Sequence, residues 1–358
     1  MPTNSLSASQ IVDLANGTLA DLGRFKMEDL MSDLQEFPAA HELMQKARQE
    51  KADGLAIRWN ALTSTGTNGK FTGLHGRDNI DITAGELYQE IPWRYYKNGM
   101  AFDRREVKIN GGASKIFDVV KARRHRMYAE GVEDMESTFW DGPTGSTDTT
   151  TPFGLLNYWL DYSATTGFEG GDHSYHAGGV GGKLCADYPR LEHYTFNFST
   201  INQATIRLIR GALRQTRFHG IVQAQKQQIS PYANGFRRAI YTTYDNLQAM
   251  EELLEAKNDN HGNDLAKYDG MVHIAKVPVI DVPYLSENHA TSDPFIGIDW
   301  EQVKVCYMKG EWFRETPFTI KSEQHNDLEM HTDCQFNIKV IQRRKGIWLG
   351  AKSDPLSD

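Results

Sequence analysis

The sequence predicts a mixed α+β protein organised around an extended β ribbon that leads directly into one long helix. Apolar and polar residues alternate over residues 55–61, the period-two pattern of a half-buried strand, and a second apolar run follows at residues 91–95. Helical spacing then continues to Trp140, well beyond the length of an average globular helix. Because a two-stranded ribbon is only marginally stable alone, we expect a neighbouring copy of the chain to cover it.

Residues 1–50 precede the ribbon and predict two amphipathic helices. Ser7 and Gln10 have the spacing of a capping box at the start of the first helix. Pro38 is expected to interrupt the second helix, because proline lacks the backbone N–H that a helix interior needs. Neither apolar face has an obvious local partner, so this segment is interpreted as an arm.

The ribbon itself is punctuated by glycines between its two apolar runs, which favours a loose tip. Asn98-Gly99 then predicts a tight hairpin before residues 100–109. Large aromatic side chains on the ribbon are candidate anchors of a subunit interface, because aromatic residues dominate interface energetics. The alternative is that they form a core within one subunit. These residues are Trp59, Phe71, Trp93 and Tyr95.

The long helix is expected to begin after Gly111-Gly112 with Ser114 as its N-cap, and to end at Asp141-Gly142-Pro143. Its charges run against its macrodipole, since bases come early and acids late. One interpretation is a solvated face with pairs such as Arg126 and Glu130. The other is complementarity between copies, basic half against acidic half. The candidate interface residues on this helix are Arg123, Arg124, Arg126, Glu133 and Asp134.

The remainder of the chain predicts a mixed α/β region behind a loop with seven glycines between Gly167 and Gly182. Expected helices cover residues 200–218, with Thr200 and Gln203 as a capping box, and 245–257. Expected strands cover residues 237–243, 270–282 and 302–308, followed by a long final strand from Met330 to Val340.

Composition excludes several classes of protein. A net charge of -8 disfavours a dedicated nucleic-acid binder, which needs a clustered basic surface. Three widely spaced cysteines do not support a disulfide framework or a paired zinc motif, and they fit a reducing compartment. Neither a signal peptide nor an apolar run long enough for a membrane span is evident, so a soluble protein made in the cytoplasm is expected.

No catalytic residue, metal ligand or cofactor site is predicted. The glycine-rich loop lacks the lysine–serine ending of a phosphate-binding loop, since Leu184 follows Gly182-Lys183. Asp172, His173 and His176, with His325 and His331 as distant helpers, leave a metal-dependent hydrolase as an alternative, although their spacing is not specific. The sequence contains no nucleophile elbow.

The order of these features resembles that of the major capsid proteins of tailed bacteriophages. The likeness comes from order and spacing over most of the chain. It is carried by residues 114–143, by Pro152 to Leu160 followed by Thr166 to Gly171, by Arg190 to Phe218, and by Cys334 to Arg344.

This resemblance implies the Hong Kong 97-type capsid fold, with an N-terminal arm, an extended β-hairpin loop, a long spine helix, a peripheral domain and an axial domain. The implied boundaries are residues 1–50 for the arm, 51–111 for the extended loop, 112–189 for the peripheral domain with spine helix and glycine-rich loop, 190–310 for the axial domain, and 311–358 for C-terminal strands that complete the peripheral domain.

The implied function is a shell of hexamers and pentamers that encloses a packaged double-stranded DNA genome without reading its sequence. The virion would assemble in the bacterial host cytoplasm, with a separate scaffolding protein, a portal and, in some systems, decoration proteins. Some family members form lysine–asparagine cross-links, for which Lys70 and Asn337 are the positions to inspect; Lys70 is also an interface candidate. The closest alternative is an encapsulin-like compartment.

Overall fold

The computed structural model describes residues 37–62, 71, 85–105, 113–176, 178–216, 238–255, 272–322 and 324–355. The predicted helices within residues 1–36, the capping pair Ser7 and Gln10, and Lys70 lie outside these ranges. In the described part, no helix is long and apolar enough to cross a membrane.

The described chain contains both helices and strands, with runs of consecutive strands before α2 and before α6. The helices are α1 (Pro38–Met44), α2 (Ala113–Trp140), α3 (Gln203–Gln215), α4 (Tyr244–Glu255), α5 (Pro283–Asn288) and α6 (Arg343–Gly346). The strands are β1 (Gln49–Ala52), β2 (Ala56–Leu62), β3 (Glu86–Pro92), β4 (Arg94–Asp103), β5 (Gly167–Gly170), β6 (His193–Asn197), β7 (Arg238–Thr242), β8 (His273–Ile274), β9 (Val277–Asp281), β10 (Phe295–Asp299), β11 (Val303–Met308), β12 (Arg314–Glu315), β13 (Thr319–Ile320), β14 (Asp327–Val340) and β15 (Ile347–Ala351).

One sheet is built around β14, the long final strand that the sequence predicts. Its first ten residues pair antiparallel with β4, its last five pair with β11, and the short strands β12 and β13 also pair with it. At the edge of this sheet, β1 runs parallel to β11. Helix α2 packs on the sheet through Met127 and neighbouring apolar residues, so the long helix and the final strand form one unit.

The second sheet has seven strands in the order β5-β6-β15-β10-β7-β9-β8. Helices α3 and α4 cover it, burying Ile209 and Met250 with Phe196 and Trp348. A larger core cluster joins the two sheets, because buried residues of α2, such as Phe139 and Trp140, pack with residues of β7, β10 and β15.

Several boundary predictions are wrong for local physical reasons. Helix α3 begins at Gln203 and is capped by Asn202, whose side chain accepts from two backbone N–H groups, rather than by Thr200. The expected strand 270–282 is a hairpin of β8 and β9, turned by Ala275 and Lys276 at positive φ.

Asn98-Gly99 does not form a hairpin, because β4 runs straight through it. Gly99 lies opposite His331 on β14, and a Cβ there would come within 3.1 Å of the Met330 carbonyl oxygen. The Asn98 side chain donates to the Met127 carbonyl oxygen at 2.9 Å. Gly99 therefore allows β4 to approach β14 closely, and Asn98 links the sheet to α2.

Helix α2 has 28 residues and begins at Ala113, so Ser114 lies inside it and is not its N-cap. Its end is as predicted: the helix stops at Trp140, and Gly142 follows at a φ of 73°. The glycine is required because a side chain rarely adopts that backbone conformation.

Residues 37–52 have a partner within the chain, contrary to the sequence interpretation. Pro38 starts α1, since the first position of a helix needs no N–H donor. The segment before it, on which the predicted interruption also depends, lies outside the described residues. The Glu136 carboxylate on α2 accepts from the backbone N–H groups of Ala39 and Ala40 at 3.3 and 2.7 Å. With Leu43 almost fully buried, this stretch belongs to the main core.

Candidate assembly surfaces

The base of the ribbon, formed by β2 and β3, lies against the chain's own body. Ile57 and Ile91 are buried in the main core, and Leu87 packs against Cys185 and Leu191. For these residues, the expectation that a neighbouring subunit provides the cover is wrong. Apart from Phe71, the ribbon tip lies outside the described residues.

The opposite face of the ribbon base points to solvent. Arg58 lies 3.3 Å from the Glu90 carboxylate and 5.7 Å from the ring centre of Tyr88, whose hydroxyl donates to Glu90. Leu55 is 93% exposed beside this strip. The period-two alternation that buries Ile57 places Arg58 outward, but no sequence motif marks Arg58, Tyr88 or Glu90 as surface candidates.

The four aromatic anchors have different environments. Trp93 is 7% exposed and donates its indole N–H to the Gly54 carbonyl oxygen at 2.8 Å, so it belongs to the core of its own subunit. Trp59 is half-buried near Trp159. Tyr95 is 67% exposed and Phe71 is fully exposed, so both remain interface candidates.

Asn337 is an internal anchor and not an accessible cross-link acceptor. It is fully buried; its amide group donates to the Pro92 carbonyl oxygen at 2.8 Å and its oxygen accepts from the Phe153 N–H at 2.9 Å. Attack by a lysine of another subunit would require the core to open. The residue instead fixes the junction of β3 and β4 to the end of the loop that follows α2.

The glycine-rich loop holds the other edge of the ribbon base. The Glu90 N–H donates to the Gly181 carbonyl oxygen at 3.1 Å, and the Gly181 N–H donates to the Tyr158 hydroxyl at 2.9 Å. Tyr158 stacks on Phe153 with ring centres 3.7 Å apart, and burial raises the pKa of its hydroxyl to about 12. The loop is therefore a structural clamp on the ribbon.

Arg343 on α6 also holds the glycine-rich loop in place. Its buried guanidinium donates to the carbonyl oxygens of Trp159 and Gly171 at 2.5 and 2.6 Å and to the Cys185 sulfur at 3.3 Å. Burial holds the pKa of the guanidinium below its usual range. An arginine donates to several backbone oxygens at once, which suits a loop with few side chains of its own.

The histidines of the loop are packed as part of this structure. Burial lowers the pKa of His173 to about 4, and the ring of His176 lies edge-on to Phe153 and Tyr158. His331, one of the two distant helpers, lies on β14 near Glu329. Within the described ranges, no group of three or more His, Cys, Asp or Glu side chains could hold a metal ion.

Several of the α2 charges are used within the chain. Arg124 pairs with Glu315 at 2.6 Å, and Asp134 accepts from the Tyr96 hydroxyl at 2.7 Å. Arg123 donates to the Ala101 carbonyl oxygen at 2.9 Å. Arg126 is exposed and Glu133 is half-exposed, both on the face away from the sheet.

Solved structures to which this chain is similar include capsid proteins of phages and of a GTA particle. The cyanophage A-1(L) capsid asymmetric unit matches with a TM-score of 0.60 at 16% identity, over 91% of this chain and 95% of that chain. The cyanophage Pam1 capsid asymmetric unit matches with a TM-score of 0.52 at 10% identity, over 99% and 100% of the two chains. The capsid of an empty GTA particle matches with a TM-score of 0.53 at 9% identity, over 91% and 94%.

No family model matches the chain, and no curated protein matches it. At these identities the structural matches bear on the fold, and they cover nearly all of it. The fold class predicted from the sequence is confirmed: the chain has the mixed α+β fold of tailed-phage and GTA capsid proteins.

Proposed function

We propose that the chain is a major capsid protein that assembles with copies of itself into an icosahedral shell enclosing double-stranded DNA. The observation that carries this proposal is the structural match of 91% of the chain to 95% of the cyanophage A-1(L) capsid chain. An isolated shared motif would support only a local similarity.

The ribbon gives such a protein a way to hold neighbouring subunits together. Its base is fixed to the body by Asn337 and by the Gly181 clamp, while Leu55, Phe71 and Tyr88 expose apolar surface. A firmly held base lets the tip bear load when it contacts another subunit. Obligate interfaces commonly bury more than about 2,000 Å², and multiple linked contacts strengthen each other in a closed shell.

The finer features of the proposal follow the sequence resemblance. They are hexamers and pentamers as building units, the peripheral and axial domain division, a separate scaffolding protein and a portal, decoration proteins in some systems, and a virion assembled in the host cytoplasm. The DNA is enclosed without sequence-specific contacts, in keeping with a net charge of -8.

The ribbon tip provides a direct test. Leu62 and Glu86 are register partners, so replacing residues 63–85 with Asn-Gly closes β2 and β3 with a two-residue turn. We expect a folded, soluble chain that no longer forms closed shells in electron micrographs. In a second variant, a Gly-Ser segment of the original length replaces residues 63–85. This variant keeps the length of the tip but removes its side-chain contacts, so it distinguishes the two causes of a failure to assemble. Normal particles from both variants would contradict the proposal.

An encapsulin-like compartment remains the rival function, because the same fold could enclose a protein cargo. Particles purified from producing cells discriminate between the two. Nuclease-resistant double-stranded DNA inside them supports the capsid function, whereas a co-purifying enzyme with no protected DNA supports the compartment.

A further inference from the structure

We propose that the outward face of α2 is a self-complementary contact, through which two copies of the chain pack with their long helices antiparallel about a two-fold axis near Ala129 and Glu130. This inference rests on the proposed shell assembly and specifies one of its contacts.

The burial of α2 defines which face is available. Val120, Met127, Met135 and Phe139 are buried against the sheet and core. At about 100° per residue, Arg126 and Glu133 are two turns apart and lie within about 20° of the same line, opposite the buried stripe. Together with Ala122 and Ser137 they form the outward line of the helix, and all four are exposed or half-exposed.

The charges on this line are not used within the described part of the chain. Arg124 is bound by Glu315, and the Glu136 carboxylate accepts from the start of α1. Arg126 and Glu133, by contrast, make no side-chain hydrogen bond or ion pair with any residue that the structure describes. The pairing of Arg126 with Glu130 considered from the sequence is not formed.

The order of the two charges selects the partner. A ligand of one sign would meet repulsion from half of the line, whereas an antiparallel copy presents acid to base and base to acid. Arg126 and Glu133 are equidistant from an axis between residues 129 and 130. Arg126 of each copy therefore faces Glu133 of the other copy, and the pair forms twice. Ala122 and Ser137 are equidistant in the same way, and Ala129 near the axis lets the helices approach closely.

The order of the charges along α2 favours the same arrangement. Helix α2 has no acidic residue in its first turn and no basic residue in its last turn, so its dipole is not offset within the helix. With the axis between residues 129 and 130, the acidic half of one helix lies beside the basic stretch at residues 123–126 of the other. The charge order that is unfavourable in a single helix therefore becomes favourable in the pair.

Charge reversal with rescue tests this contact. We expect Arg126→Glu and Glu133→Arg each to cause loss of closed particles with an unchanged melting temperature, and the double variant R126E/E133R to recover them. An intrachain explanation cannot produce this rescue, because about 10.5 Å of helix separates the two positions. The matched control is K309E/E133R, which has the same net charge as R126E/E133R. Lys309 is exposed in a turn outside α2, so its reversal cannot restore the contact and this variant should stay defective.

The outcomes separate this inference from the proposed function. If the unmutated chain forms shells and neither single variant loses them, or if K309E/E133R recovers as well as R126E/E133R does, the two-fold contact is wrong while the capsid function stands. If the unmutated chain never forms shells with its co-expressed neighbours, the proposed function itself fails.

A cysteine at the axis gives a second measurement that does not depend on charge. Residue 129 lies about 1.5 Å along the helix from its symmetry mate, whereas residue 122 lies about 22 Å from its own. We expect Ala129→Cys in assembled particles to give cross-linked dimers on oxidation or with a short bis-maleimide, and Ala122→Cys to give none. The native cysteines Cys185, Cys306 and Cys334 are buried. Equal cross-linking of both variants, or of neither, would overturn the contact.

Discussion

Glu136 provides the sharpest test of how the end of the N-terminal segment is attached to the body. One carboxylate oxygen accepts from the Ala39 N–H at 3.3 Å and the Trp140 indole N–H at 2.7 Å, and the other accepts from the Ala40 N–H at 2.7 Å. Burial raises the pKa of Glu136. In Glu136→Gln, the new NH2 group cannot accept from Ala40, so that buried N–H is left without a partner.

The expected cost follows from these contacts. An orphaned buried donor costs about 1–3 kcal/mol, and the two remaining bonds weaken because their acceptor loses its charge. Relief of the buried charge offsets part of this loss, so we expect a net destabilisation of about 2 kcal/mol. With an unfolding entropy of about 2.1 cal/mol/K per residue over 358 residues, the melting temperature should fall by about 3 °C.

Differential scanning calorimetry of the unassembled protein measures this shift. Glu287→Gln, at an exposed position on α5, is the matched control and should change stability by less than about 0.5 kcal/mol. If Glu136→Gln melts within about 1 °C of the unmutated chain, the cap does not hold α1 to the body and the reasoning is refuted.

The remaining predictions address other anchors. Arg343→Met should destabilise the chain by about 2–6 kcal/mol in denaturant titrations, because two buried carbonyl oxygens lose the donor that they share and each such loss costs about 1–3 kcal/mol; a loss below about 1 kcal/mol would argue against the anchor. Gly99→Ala should cost about 1–3 kcal/mol, since its Cβ would sit 3.1 Å from a backbone oxygen of β14, whereas Gly145→Ala, which meets open space, should be neutral. The pKa of His173 is lowered to about 4, so the unfolded state binds more protons below pH 6.5, and the stability that His173 contributes relative to His173→Asn should decline between about pH 6.5 and 4. An equal pH dependence of both proteins would contradict that assignment.

The long periodic elements were predictable from the sequence because their signals are local. Alternation gives β2 and the final strand, and the apolar stripe with Gly142 gives α2 and its end. Their order along the chain carries the resemblance to the capsid proteins of tailed phages, and that resemblance implied the fold class.

What covers each apolar face was not predictable, because periodicity shows that a face is buried and not what buries it. Ile57 and Trp93 are covered by their own subunit, although the sequence favoured a neighbour. Asn98-Gly99 has the local signature of a turn, but pairing with β14 overrides it. Asn337 reads as an ordinary polar residue in a strand, and only the tertiary structure shows its amide group held on both sides.

Electron cryomicroscopy of particles formed by the chain with its co-expressed neighbours tests the central claim most directly. We expect a closed icosahedral shell in which the ribbon base keeps its contacts with Asn337 and Gly181 while the tip beyond Leu62 contacts an adjacent subunit. A preparation that contains only monomers, or a shell in which residues 63–85 lie against their own subunit, would contradict the account.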